Sequence, residues 1–215
     1  MENLLSGQLR SIARHFVRRI HLDRLVLNDE VRKLVDELPV GKLDALEISG
    51  TAWQSAGFKI YESQQYPEYD ICEGPLPRQF DLIIADQVFE HLLWPYRAAC
   101  NVHQMLRPGG HFLLATPFLQ KVHECPYDCT RWTETGLKHL LAECGFPIEK
   151  IVTGSWGNRM AAKANLNPKK FPTYSPLLHR NLTNDPQFPV QVWALATKGA
   201  KSRKSGAGAF AGPPE

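Results

Sequence analysis

The sequence predicts an α/β fold: a doubly wound, mostly parallel sheet with helices on both faces. Two observations carry this. First, the runs DLIIA (residues 81–85) and HFLLA (residues 111–115) are continuously apolar rather than alternating, as strands are when helices cover both sides of a sheet. Second, Val88, Leu92, Ala99, Val102 and Leu106 recur between them at three- and four-residue steps, so the segment reads as a β-α-β unit.

Taken in order, the first forty residues form an N-terminal helical segment. Leu4, Leu5, Leu9, Ile12, Phe16 and Ile20 recur at helical spacing with Arg10, Arg14 and Arg18 between them. Such a stripe serves more often to dock on the protein's own core than on a membrane. A second helix is expected from Asn28 as N-cap, with Asp29 and Glu30 in its first turn and a stop near Pro39. The main domain spans residues 41–198, with strands expected over 43–48, 58–61, 80–85 and 111–116. The helix before the fourth of these ends in Arg107-Pro108-Gly109-Gly110, which turns the chain into the strand. A further helix runs from Thr133, an N-cap, to Cys144, with Gly145 at its left-handed C-cap position and Phe146 folding back. Two last strands are expected at 148–153 and 190–197. Residues 155–189 form a long proline-rich loop, a candidate lid. Residues 199–215 are small, polar and proline-ended, and read as a disordered tail.

Composition excludes several classes. The chain has 215 residues, 43% hydrophobic and 22% charged, with a net charge of +3, which is too little to argue for a nucleic-acid partner. No apolar stretch approaches the ~20 residues of a membrane span. The N-terminus lacks the pattern of a secretory signal, and five scattered cysteines form no disulfide framework, so a cytoplasmic protein with reduced thiols is expected. His123, Cys125 and Cys129 lack a fourth ligand at standard spacing, so no metal is expected there.

In open α/β sheets, ligands bind beyond the carboxyl ends of the strands. The residues at those ends are Glu47, Ser49, Gly50 and Thr51; then Glu62 and Asp70; then Asp86, Gln87, Glu90 and His91; then Thr116, Pro117 and Phe118. Acids without lysine or arginine suit a ligand rich in hydroxyls and amines. A P-loop, GxxxxGK[ST], is absent.

The succession LEISG, FDLIIADQVFEHL and MLRPGGHFLLATPF, followed by HECPYDCTRWTETGLKHLLAECGF, resembles the class I S-adenosylmethionine-dependent methyltransferases, a Rossmann-like family, in their small-molecule branch. The resemblance covers roughly residues 40–150. It implies S-adenosyl-L-methionine as cofactor and a small-molecule acceptor, with O- or N-methylation of a hydroxylated compound. By position it implies that Glu47, with Ser49, Gly50 and Thr51, holds the loop around the methionine part, that Glu62 binds the ribose hydroxyls and that Asp70 meets the adenine amine. Asp86 and Gln87 would face the cofactor, and His91 or Asp86 would act as base. His123, Arg131, Trp132 and Trp156 are candidates for the acceptor pocket. Where the family reads Glu-x-Gly-x-Gly this chain reads Glu47-Ile48-Ser49-Gly50-Thr51, so two glycine positions carry side chains.

The alternative is a non-catalytic methyltransferase-like binding protein that has lost cofactor affinity. A nicotinamide oxidoreductase is disfavoured because G-x-G-x-x-G is absent at the first strand. RNA methylation is disfavoured because no aromatic-plus-basic stacking motif is evident. The oligomeric state is not legible.

Overall fold

The computed structural model describes residues 21–200. The predicted amphipathic helix over the first twenty residues, and the tail from residue 201 on, lie outside the described residues. Six strands form one sheet in the order β2-β1-β3-β4-β6-β5, where β1 is Asp44–Ile48, β2 Ile60–Gln64, β3 Phe80–Asp86, β4 Leu106–Pro117, β5 Ile151–Trp156 and β6 Gln191–Thr197. β2, β1, β3 and β4 run parallel, and β6 is antiparallel to both β4 and β5. The expected doubly wound, mostly parallel sheet is therefore present.

Its two faces follow the period-two alternation of strand side chains. Leu46, Ile48, Ile83, Ala85, Phe112 and Leu114 point to one face, which is covered by α2 (Pro95–Met105) and α3 (Glu134–Glu143) through Ala98, Val102, Met105, Leu137 and Leu141. Ala45, Leu82, Ile84, Leu113, Ala115 and Trp193 point to the other, covered by α1 (Leu22–Asp36) and α4 (Arg159–Asn165) through Leu27, Val31, Val35 and Ala161. Burial on both sides explains why the central strands read as unbroken apolar runs.

Several local expectations are corrected. Asn28 is not an N-cap but lies mid-helix. α1 begins at Leu22, whose N–H donates to the Pro172 carbonyl, while His21 bridges to Thr173, so a distant loop rather than a local cap starts it. β2 lies two residues beyond the predicted 58–61 start. It is an edge strand paired only to β1, so its sequence IYESQ needs no apolar run. Arg107-Pro108-Gly109-Gly110 is not a turn after a helix but the start of β4, which pairs from Leu106 onward with a bulge opposite Phe80 and Leu82. Residues 148–150 form a single 3₁₀ turn before β5.

Other expectations hold. The Thr133 hydroxyl accepts from the Gly136 N–H at the start of α3. Gly145 adopts φ +105°, and Phe146 N–H returns to the Leu141 carbonyl.

Candidate active site

The order of strands reverses at β1, which has β2 on one side and β3 on the other. Beyond the carboxyl ends of β1 and β3 the chain takes an uncommon conformation twice. Ser49 has φ +54° and Gln87 φ +61°, the only positive-φ residues other than glycine among the described residues. Each keeps one sheet bond before turning away: Ser49 N–H donates to Gln64 O at 2.7 Å and Gln87 N–H to Ala115 O at 2.8 Å. Left-handed backbone in a residue with a side chain costs of order 1 kcal/mol and persists only where its surroundings enforce it. Here it marks the switch point of the sheet, where α/β folds bind ligands.

A cavity of about 470 Å³ opens at this point, bordered by Ser49, Asp70, Gln87, His91, Trp94 and Tyr127 among others. Its size falls within the range of small-molecule and cofactor sites.

The loop after β1 is shaped by Glu47, which is almost fully buried. Its carboxylate accepts from Ala52 N–H at 2.9 Å, Trp53 N–H at 3.0 Å and the Tyr61 hydroxyl at 2.7 Å. The same carboxylate crowds position 50: a Cβ there would lie 2.4 Å from Glu47 Oε1, so a side chain would have to displace the carboxylate from its hydrogen bonds. So the one glycine retained in this loop is the one that Glu47 crowds, whereas Ser49 reaches the left-handed region despite its side chain.

Asp70 lines the cavity and holds its own turn, its Oδ1 accepting from Cys72 N–H at 2.8 Å. Gln87, also on the wall, donates to Gln191, which in turn donates to the buried Asp23 at the start of α1.

His91 lies on the turn after β3. Its Nδ1 stands 2.6 Å from the Tyr127 carbonyl, a partner that can only accept, so Nδ1 carries a proton and the neutral ring has its lone pair on Nε2. Nε2 is 3.7 Å from Glu90 Oε1, and the His123 ring meets His91 edge-on with centroids 5.0 Å apart. Glu90 is fully buried, neither of its oxygens has a hydrogen-bond partner, and burial pushes its carboxyl up to about 8. The segment after β4 is sewn onto this turn by Cys129 N–H to the Glu90 carbonyl at 2.7 Å.

The remaining sequence candidates are placed elsewhere. Asp86 is not free to act as a base: Arg24 donates to both of its oxygens at 2.6 Å, joining α1 to β3. Glu62 does not reach the cavity. It lies two residues before the end of β2, opposite Leu46, and is ion-paired with Arg78. Thr51 is exposed and away from the cavity wall. Trp156 is a core residue, its indole N–H donating to the Leu182 carbonyl at 2.9 Å. Arg131 grips Asp128, which also accepts from His123 N–H at 2.7 Å, and this holds the Asp128 carboxyl below its ordinary value. His123 is half-buried beside His91, and burial lowers its pKa. Trp132 packs against the core beside α3. No residue of 155–189 borders the cavity: residues 155–156 end β5 and 159–165 form α4. Trp156, Ala161, Tyr174 and Leu182 share a hydrophobic cluster with Leu22, Leu27 and Val31 of α1 instead. Tyr66, Leu93, Trp94 and Tyr127 were missed by the sequence reading. Their only signal was aromatic or apolar character in segments without periodicity.

Residues 30–114 match the family model described as a methyltransferase domain. Among solved structures the fold is similar to a complex between the Trm112 methyltransferase activator of Haloferax volcanii and a methyltransferase, with 15% identity, TM-score 0.55, and 81% of this chain and 90% of that chain covered. It is similar to an S-adenosylmethionine-dependent methyltransferase of Archaeoglobus fulgidus at 12% identity and TM-score 0.55, covering 81% and 94%. A Thermotoga maritima S-adenosylmethionine-dependent methyltransferase matches at 15% identity and TM-score 0.50, covering 92% and 100%. No curated protein sequence matches the chain.

Proposed function

We propose that the chain is a class I S-adenosylmethionine-dependent methyltransferase, an enzyme using that cofactor, and that its acceptor is a small molecule methylated on a hydroxyl oxygen or an amine nitrogen. The match of residues 30–114 to a methyltransferase-domain model supports the first part. The observation that carries this reading is the cavity of about 470 Å³ at the switch point, with Tyr66, Trp94 and Tyr127 among its lining residues. That volume and partly aromatic lining suit a small ligand.

The residues present fit the cofactor. Glu47 fixes the loop from Ser49 to Trp53, and the missing Cβ at Gly50 leaves the loop backbone open there. In this reading Ser49 and Gly50 border the methionine part and Asp70 offers a carboxylate to the adenine amine. Gln87, oriented by Gln191, faces both ligands. When bound, the cofactor supplies an electrophilic methyl group that needs no further activation.

The chain's own work is alignment, exclusion of water and proton removal. Trp94 and Tyr127 give the wall apolar surface, and water excluded by a bound acceptor there strengthens polar interactions inside. His91 presents the Nε2 lone pair to an acceptor hydroxyl and takes its proton, while the Tyr127 carbonyl holds the ring in the required tautomer.

Calorimetry with S-adenosylhomocysteine, followed by a radiolabelled methyl-transfer screen over small alcohols, phenols and amines, tests the reading. Methylation of small acceptors is expected, with His91→Asn lowering kcat on hydroxyl acceptors about 10²–10⁴-fold and leaving S-adenosylhomocysteine affinity unchanged. Turnover confined to macromolecular acceptors would overturn it.

A further inference from the structure

We propose that Glu90, His91 and His123 form a binding site for a divalent transition-metal ion beside the cavity, which His91 alone of the three borders. One ligand atom from each residue lies within 4.8 Å of the other two. A divalent ion bonds imidazole nitrogen and carboxylate oxygen at about 2.0–2.2 Å, so a small inward adjustment of these side chains closes the set.

Three independent features distinguish it from an incidental cluster. The Glu90 side chain is fully buried, yet both of its oxygens lack a hydrogen-bond partner. A buried carboxylate left without a partner is costly, and a cation beside it removes that cost. The histidines are also set as ligands. The Tyr127 carbonyl 2.6 Å from His91 Nδ1 takes the Nδ1 proton in a hydrogen bond, so the neutral ring has its lone pair on Nε2, on the side where Glu90 Oε1 stands 3.7 Å away. His123 Nδ1 has the Lys121 carbonyl at 3.2 Å and the Asp128 carboxylate at 3.4 Å, the carboxylate–histidine arrangement that orients metal-binding imidazoles. Finally, the ligands come from two segments that the fold stitches together, by Cys129 N–H to the Glu90 carbonyl at 2.7 Å.

The donor set names the class of ion. Two imidazoles and one carboxylate suit zinc, cobalt, iron(II) or manganese with coordination positions left over, whereas calcium and magnesium prefer oxygen donors. Cys125 and Cys129, which accompany His123 in sequence, are exposed and take no part. Because His91 also borders the cavity, ion and proton compete for the same Nε2 lone pair. Occupancy therefore alternates with the proton-accepting role given above.

The test is equilibrium dialysis of the chelator-stripped, untagged full chain against zinc and cobalt. The bound metal is measured by mass spectrometry, and the cobalt spectrum is recorded for ligand-field bands. One ion per chain is expected. Glu90→Gln and His123→Ala should each weaken it by about 100-fold. A Cys125→Ser, Cys129→Ser double variant should bind as tightly as the parent, and circular dichroism should show that all these variants fold. Absence of binding by the parent would overturn the site, as would unchanged affinity in both ligand variants or loss of the ion in the cysteine variant. None of these readouts depends on methyl transfer, so the site and the proposed reaction stand or fall separately.

Discussion

A carboxylate withdrawn from water is tolerated where protein donors replace the water, and Glu47 meets that condition with two backbone N–H groups and the Tyr61 hydroxyl. Its cost is therefore offset by the shape it imposes on residues 49–53. Glu47→Gln presents an amide N–H₂ where an acceptor is needed, so part of this set is lost and about 1–3 kcal/mol with it. The expected outcome is a lower melting temperature and at least tenfold weaker S-adenosylhomocysteine binding, read by differential scanning fluorimetry and calorimetry. Gly50→Val places atoms within 2.4 Å of Glu47 Oε1 and so displaces the carboxylate. Calorimetry on that variant should detect no cofactor binding, and normal binding would show that the loop lies elsewhere. The acidic strand end and the glycine were legible in sequence, because both follow a short apolar run. That Ser49 rather than a glycine takes the positive φ was not, because sequence shows residue type and not the forces that enforce a backbone angle.

At the level of elements, the start of α1 is a clamp on the strand ends. Arg24 bonds both oxygens of Asp86, and Asp23 accepts from Gln120 and Gln191, the latter holding Gln87 at the cavity wall through its other end. Arg24→Ala leaves Asp86 almost buried without its counter-charge, an expected loss of about 1.5–3 kcal/mol. For a chain of this length that lowers Tm by roughly 2–4 °C per kcal/mol. Asp86→Asn in the Arg24→Ala background should recover part of the loss, since it removes the stranded charge. This clamp explains why Asp86 read as a candidate base: it occupies the carboxyl end of a buried strand, where catalytic acids stand. Its partner comes from 62 residues earlier in the chain, a pairing that no local pattern encodes. Trp156 shows the same limit, since an aromatic at a strand end reads alike whether it faces a ligand or, as here, the core.

Across the whole molecule, two histidines far from the cavity tie stability to pH. Burial lowers the pKa of His103, helped by the charge of Lys198, and burial likewise lowers that of His111 between β4 and β6. Both are favoured neutral in the folded state, so the unfolded chain binds more protons as pH falls below about 6.5. Their contribution is present above that value and lost as pH drops through it toward the lower folded-state values. Glu90, whose carboxyl burial pushes up to about 8, acts in the opposite sense over this range. The expectation is therefore a difference: between pH 7.5 and 5.5 the melting temperature of a His103→Gln, His111→Gln double variant should change in the stabilising direction relative to that of the parent. An unchanged slope would assign the acid sensitivity to other groups. Among the described residues no helix is long and apolar enough to cross a membrane.

The sequence by itself determined the sheet and its covering. Continuous apolar strands and helix-periodic segments need each other's buried faces, and few arrangements satisfy both. It also determined which strand ends carry polar groups. Tertiary structure decided which of those groups are available. Arg24 removes Asp86 and Arg78 engages Glu62, while the chain after β4 folds back to set His123 against His91 and the unpartnered Glu90. The reason is one of range. Burial periodicity is written within a dozen neighbouring residues, whereas charge pairing and ligand sets are fixed by distances of a few ångströms between segments remote in the chain.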